Sequence, residues 1–293
     1  MTCNFVQSEV PYFHFTDENF SCKIVPSFGG SIQEFIVDGK SIIKGVPIST
    51  EGFEEYKTFC NSAILFPFPN RIASGTFSFG DKPYQLDLNE PKYGNAIHGF
   101  VFTEHPEVTS QTDASLSLRF KHTESPGYPF PYTLDLEYTV NPNRLELEFI
   151  VVNTGTELMP FGLGWHPYFV TSDQQNFKLH LEADKKYLVN KHMIPDHSIP
   201  VNDTIFDLPK LDVDNAYRLT NSEVVLQGPD RKLCFNLPES SYLQLYNPES
   251  RKSFAIEPMS CAPDVFNNKI GLYSLMPGHS FQWKLELRFE IFA

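Results

Sequence analysis

The sequence predicts an all-β protein: one domain over residues 1–293, built from two or more packed antiparallel sheets. Three observations predict it. Apolar and polar residues alternate with period two over long stretches. Helical periodicity is scarce. The 23 prolines and 16 glycines are scattered as turn punctuation and form no linker. Period-two alternation sends successive side chains to opposite faces, so each such strand has one dry and one wet face. Antiparallel sheets tolerate a wet face and parallel sheets rarely do. All-β units of this length form single domains, so length forces no division.

Taken in order along the chain, residues 50–60 have room for a short stretch of helix. Leu116, Leu118 and Phe120 then form one apolar face. Tyr132, Leu134, Leu136, Tyr138 and Val140 form a second, alternating with Thr133, Asp135, Glu137 and Thr139. Asn141-Pro142-Asn143 reads as a hairpin turn, because these residues suit turn conformations, and Leu145, Leu147, Phe149 and Val151 continue beyond it. The stretch 190–215, with Pro195, Pro200 and Pro209, reads as a long surface loop. Residues 262–268 have room for another helical turn. Phe281, Trp283, Leu285, Leu287, Phe289 and Ile291 alternate with charged and polar residues near the C-terminus.

Composition narrows the function. With 41% hydrophobic and 14% aromatic residues, the chain can bury a sizeable core. The 23 basic and 36 acidic residues give a net charge of −13, which argues against nucleic acid or an anionic membrane as partner, since both need a basic face. Cys3, Cys22, Cys60, Cys234 and Cys261 are odd in number and widely spaced, a pattern of reduced thiols rather than a disulfide framework. The first residues lack a basic region followed by an apolar stretch, and no apolar run approaches the ~18 residues of a membrane helix. The expected location is cytoplasmic.

Four polar residues sit in apolar settings beside glycine or proline: Arg71, His98, His166 and Glu257. Strand ends are where ligand sites gather. The histidines show no metal-ligand spacing, no Gly-x-Ser-x-Gly elbow occurs, and no glycine-rich phosphate loop is present. No metal and no cofactor are expected. Histidine, glutamate and arginine among aromatics suit proton transfer on a polyhydroxyl ligand: a carboxylate base and a histidine acid can move two protons on one sugar. Asparagine, glutamine, arginine and aspartate can bind its hydroxyls.

Four motifs carry a resemblance. Asn70-Arg71-Ile72-Ala73 followed by Gly75, Asn95-Ala96-Ile97-His98-Gly99, Gly164-Trp165-His166-Pro167-Tyr168-Phe169 and Ile256-Glu257-Pro258-Met259 occur in the order found in the aldose 1-epimerase (galactose mutarotase) family, which this chain resembles. The likeness runs from Pro26-Ser27-Phe28-Gly29-Gly30 to Met276-Pro277-Gly278-His279. It implies a large antiparallel β-sandwich and cofactor-free interconversion of the α and β anomers of a free hexose. It further implies Glu257 as base at the anomeric hydroxyl, His166 as acid at the ring oxygen and His98 as assisting histidine. Arg71 matches the substrate-binding arginine. The hydroxyl-binding aspartate falls on Asp214, with Asp212 as alternative, and Asn70, Gln244 and Tyr168 complete the binding set. Pro167-Tyr168-Phe169 and His98-Gly99-Phe100 depart from the Ser-Tyr-Trp and His-Gly-Gly of galactose-active members and mark a divergent, shorter branch.

The expected partner is a small-molecule sugar, and the expected assembly a monomer or homodimer. Glu257 and His166 are expected on opposite sides of one sugar-sized space. The competing readings are a phosphosugar 1-epimerase, which needs added basic residues near the pocket, a glycoside hydrolase, which needs two opposed carboxylates, and a non-catalytic sugar-binding protein.

Overall fold

Strands form where the alternation predicts them. In the computed structural model, which describes residues 1–171, 175–239 and 241–292, Tyr132–Asn141 and Arg144–Asn153 pair antiparallel, joined by the two residues of the Pro142-Asn143 turn. Every second side chain of both strands is buried. Ser280–Ile291 pairs with Arg144–Asn153 on one edge and with Arg231–Asn236 on the other. Ser115–His122 and Glu107–Gln111 extend the same layer from Tyr132–Asn141.

The second layer runs from Thr2–Val6 through Tyr12–Asp17, Phe20–Val25 and Ser31–Val37 to Lys40–Lys44. It continues through Tyr168–Val170, Ser253–Met259 and Tyr242–Tyr246. The long strand Asp214–Gln227 closes the circuit. Its first half pairs with Tyr242–Tyr246 and its last part with Arg231–Asn236, so one strand belongs to both layers. The dry faces meet in one large apolar core. Phe35 lies 4.7 Å from Phe289 and Phe169 lies 5.1 Å from Phe235, ring centre to ring centre, each pair joining the two layers. This is the antiparallel β-sandwich that the sequence predicts.

Helices are few, as expected. Thr50–Phe59 is a helix whose N-cap Ser49 accepts from the Gly52 amide and whose C-cap Cys60 is left-handed. Val265–Asn268 is a single turn. None of the helices among the described residues is long and apolar enough to cross a membrane.

The 190–215 stretch corrects the sequence reading. It contains two strands, Pro195–Pro200 and Ile205–Asp207, both paired with Lys178–Val189. Pro195 and Pro200 are the two ends of the first, and among the described residues that strand has a partner on one edge only, positions where a missing N–H leaves the ladder intact. The hairpin tip between Val189 and Pro195 reaches the site described next.

Candidate active site

Strand register assembles one wall of the site. Gly164–His166 and Tyr168–Val170 both run along Ser253–Met259, with Gly164 opposite Met259 and Tyr168 opposite Ala255. Pro167 interrupts the ladder but the register is unchanged across it, which puts His166 opposite Glu257. On the far side of Glu257 lies Gln244, and beyond Tyr246 lies Asp214. Residues two apart on a strand share a face. His166, Glu257 and Gln244 therefore form one rung, and Tyr168, Tyr246 and Asp214 the next, all facing a cavity of about 1100 Å³. His166, Glu257 and Gln244 are nearly inaccessible, at 6%, 2% and 4% exposure.

A second wall carries Arg71 and His98. The two-residue strands Arg71–Ile72 and Ala96–Ile97 pair, with Ile97 opposite Arg71. Asn70 and His98 flank them in left-handed conformations, φ 56° and 65°, joined by a 2.9 Å bond from the His98 amide to the Asn70 carbonyl. The Asn70 side-chain oxygen accepts from the Arg71 amide at 2.9 Å, the local bond that lets asparagine hold this conformation. Gly99 has φ 70°, and a Cβ there would lie 2.1 Å from the Phe66 carbonyl oxygen. Only glycine permits that approach, so the His98 turn can seat against Phe66.

The two walls meet at the histidines. The His98 ring stands edge-on to His166 with centres 5.1 Å apart, and Tyr168 stacks on His166 at 5.0 Å. His166 Nε2 lies 3.4 Å from Glu257 Oε1. These two groups are side by side on the cavity floor, not across a sugar-sized space, because they are cross-strand neighbours. Glu257 Oε2 and His98 Nδ1 are buried with no hydrogen-bond partner among the described residues.

Burial sets the charge states. It raises the Glu257 carboxyl well above its usual range, helped by Asp214 and opposed by Arg71. It lowers His166 to about 4, with Arg71 acting in the same sense. His98 is lowered well below its ordinary value by burial, His166 and Arg71. Asp214 is raised by burial, with Arg71 and the Gln244 hydrogen bond opposing. All of these shifts favour uncharged forms at the first three groups and a proton on Asp214 at higher pH than usual.

Every predicted site residue lines this cavity: Arg71, Asn70, His98, His166, Tyr168, Asp214, Gln244 and Glu257. Asp214 accepts from Gln244 Nε2 at 2.6 Å, whereas the alternative Asp212 is exposed and off the cavity. Sequence reasoning missed Tyr246 and Glu90. Tyr246 was legible, being two residues from Gln244 on one strand. Glu90, which grips Arg71 with oxygens 2.8–3.1 Å from its nitrogens, lies in an aperiodic Asn89-Glu90-Pro91 loop that gives no signal.

Comparison with known proteins decides the family. The profile described as Aldose 1-epimerase matches residues 12–288. The chain belongs to the aldose 1-epimerase family. It is thus an isomerase of a family that acts on sugars. It is 31% identical over 229 residues to the uncharacterized protein YihR of Escherichia coli, across 73% of this chain and 74% of that protein. It is 28% identical over 173 residues to the galactose mutarotase of Sus scrofa, across 54% and 49% of the two chains. A galactose mutarotase-like protein from Clostridium acetobutylicum has the same fold, with a TM-score of 0.88, 22% identity, and coverage of 99% of this chain and 98% of that one.

Proposed function

We propose that this family member is a mutarotase that interconverts the α and β anomers of a free hexose of the glucose or galactose type by general acid–base ring opening and reclosure. The observation that carries the proposal is the buried contact between Glu257 and His166, 3.4 Å apart on the floor of a polar cavity. The anomeric hydroxyl oxygen and the ring oxygen of a pyranose are bonded to the same carbon, C1. Adjacent base and acid groups can therefore serve both oxygens at once.

In the forward step Glu257 takes the proton of the anomeric hydroxyl while His166 gives one to the ring oxygen. The bond from C1 to the ring oxygen breaks and an aldehyde forms at C1. Rotation about C1–C2 exposes its other face, and the C5 hydroxyl attacks while both protons return. The neutral pair that burial favours reaches the reactive form, carboxylate and imidazolium, when Glu257 passes its proton to His166 across their 3.4 Å contact. The step then takes the pair back to carboxylic acid and imidazole, with the same number of protons throughout. Burial disfavours charge, so it favours the neutral pair that accompanies the open-chain sugar. His98, edge-on to His166, assists on the ring-oxygen side. Asn70, Arg71, Asp214 and Gln244 offer donors and acceptors to the remaining hydroxyls, and Tyr168 offers a ring face. The chemistry is proton transfer and bond rotation, and no cofactor enters it.

An uncharged sugar fits best. Of the three basic residues that line the cavity, Arg71 already has a bidentate carboxylate partner in Glu90, Lys57 at the rim is held by Glu54 at 2.7 Å, and Lys92 lies over the Tyr93 ring at 4.8 Å. A phosphate would meet Asp214 and Glu257 with no free guanidinium edge pair to offset them. Polarimetry of freshly dissolved α-D-glucose and α-D-galactose tests the proposal. The wild type accelerates mutarotation, and Glu257→Gln loses ~10²–10⁴ of that acceleration while still binding sugar. A wild type no faster than buffer on a panel of aldoses sinks the reading. A faster rate on glucose 6-phosphate than on glucose sinks the free-sugar assignment.

A further inference from the structure

Arg71 is held before any sugar arrives. Its Nε lies 3.1 and 2.9 Å from the two oxygens of Glu90, and its Nη2 lies 2.8 Å from Oε1. Both side chains are largely enclosed, at 11% and 15% exposure. The Tyr93 ring lies 5.7 Å from the guanidinium carbon. Glu90 is braced in turn: its Oε2 accepts from Asn95 Nδ2 at 3.1 Å. Asn95 is 1% exposed, and its Nδ2 also donates at 2.8 Å to the His192 carbonyl at the tip of the 190–194 hairpin. Its Oδ1 accepts from the Ser74 amide at 3.3 Å. A chain of bonds thus runs from the hairpin through Asn95 and Glu90 to Arg71.

The guanidinium has five N–H donors in a rigid fork. Glu90 occupies the Nε–Nη2 edge, which leaves the Nη1 end, 3.5 Å from Asn70 Oδ1, as the main polar face for a ligand in the cavity. We propose that Glu90 is a positioning residue: it fixes which edge of Arg71 meets the sugar, and so sets substrate affinity without touching the substrate. This rests on the mutarotase reading above. Ordering a long side chain in advance removes that cost from the binding step.

Steady-state mutarotation of α-D-galactose tests it. Glu90→Gln is nearly isosteric but turns a donor toward the guanidinium, so the fork tilts. We expect KM to rise about tenfold with kcat within about threefold. Glu90→Asp, which keeps the charge, restores most of the affinity. In an Arg71→Ala background Glu90→Gln has no further effect, the non-additivity of residues acting through one another. Unchanged KM in Glu90→Gln, or the same tenfold loss in the Arg71→Ala background, overturns the proposal. If Glu90→Gln does not fold, as read by thermal melting, Glu90→Ala carries the test: a KM equal to wild type then overturns it, and a KM raised about tenfold supports it. A wild type that accelerates no sugar overturns both readings. An active wild type with an indifferent Glu90 overturns this one alone.

Discussion

Acidification should draw the stability of the wild type toward that of a His166→Gln variant. Within the fold His166 is 6% exposed, and burial together with Arg71 pushes its pKa down to about 4. In the unfolded chain it returns to about 6.5. Between those values the unfolded state binds a proton that the folded state refuses. A base with a depressed folded pKa costs nothing above its unfolded value. It destabilises the fold progressively as pH falls toward the folded value, and the loss levels off below that. Each pH unit in the window is worth about 1.4 kcal/mol, so the loss totals about 3 kcal/mol. Glutamine does not titrate, so the variant escapes this loss. Glu257 works in the opposite sense, but burial and Asp214 set its pKa rather than His166, and it is common to both proteins. Its contribution is therefore largely shared, as is that of His98, which burial depresses in both proteins. Urea unfolding at steps from about pH 7 to about pH 4 measures the difference. The wild-type unfolding free energy minus that of the variant should fall by about 3 kcal/mol. A difference that stays flat over the window would refute the claim that His166 is held neutral in the fold.

Three further outcomes are expected. Glu257 has a raised folded pKa, so it costs stability above its unfolded pKa as pH rises. Glu257→Gln should therefore melt no lower than wild type near neutral pH, and any advantage should vanish by about pH 3, below the unfolded pKa, where the carboxyl is protonated in both states. Gly99→Ala forces a Cβ to 2.1 Å from a carbonyl oxygen at φ 70°, and should cost about 3 kcal/mol or more in chemical denaturation, with loss of activity as His98 shifts. Asp214→Asn removes the acceptor charge beside Gln244, and polarimetry should show KM raised about tenfold with kcat little changed.

Much of this was legible in the sequence because its causes are local. The hairpin around Asn141-Pro142-Asn143 and the strand to Ile291 follow from alternation that any antiparallel pairing must satisfy. Arg71, His98, His166 and Glu257 stood out because each is a polar group in an apolar run. The 190–215 stretch misled because three prolines look like a loop, yet proline is harmless at the ends of a strand with one neighbour. Glu90 left no trace at all, since its role is defined by the Arg71 guanidinium that the fold brings against it and not by its own neighbours in sequence.

Sequence by itself determined the β architecture, the facing of most side chains and the chemical types at the site. Tertiary structure alone decided who touches whom. His166 and Glu257 each lie on a strand whose own pattern is silent about register. Only the common alignment on either side of Pro167 makes them neighbours, where separate sides of a sugar had been the expectation. The same holds for their charge states. Alternation is a property of one strand, whereas a pKa depends on everything that excludes water from a group, and that enclosure exists only once both layers have closed.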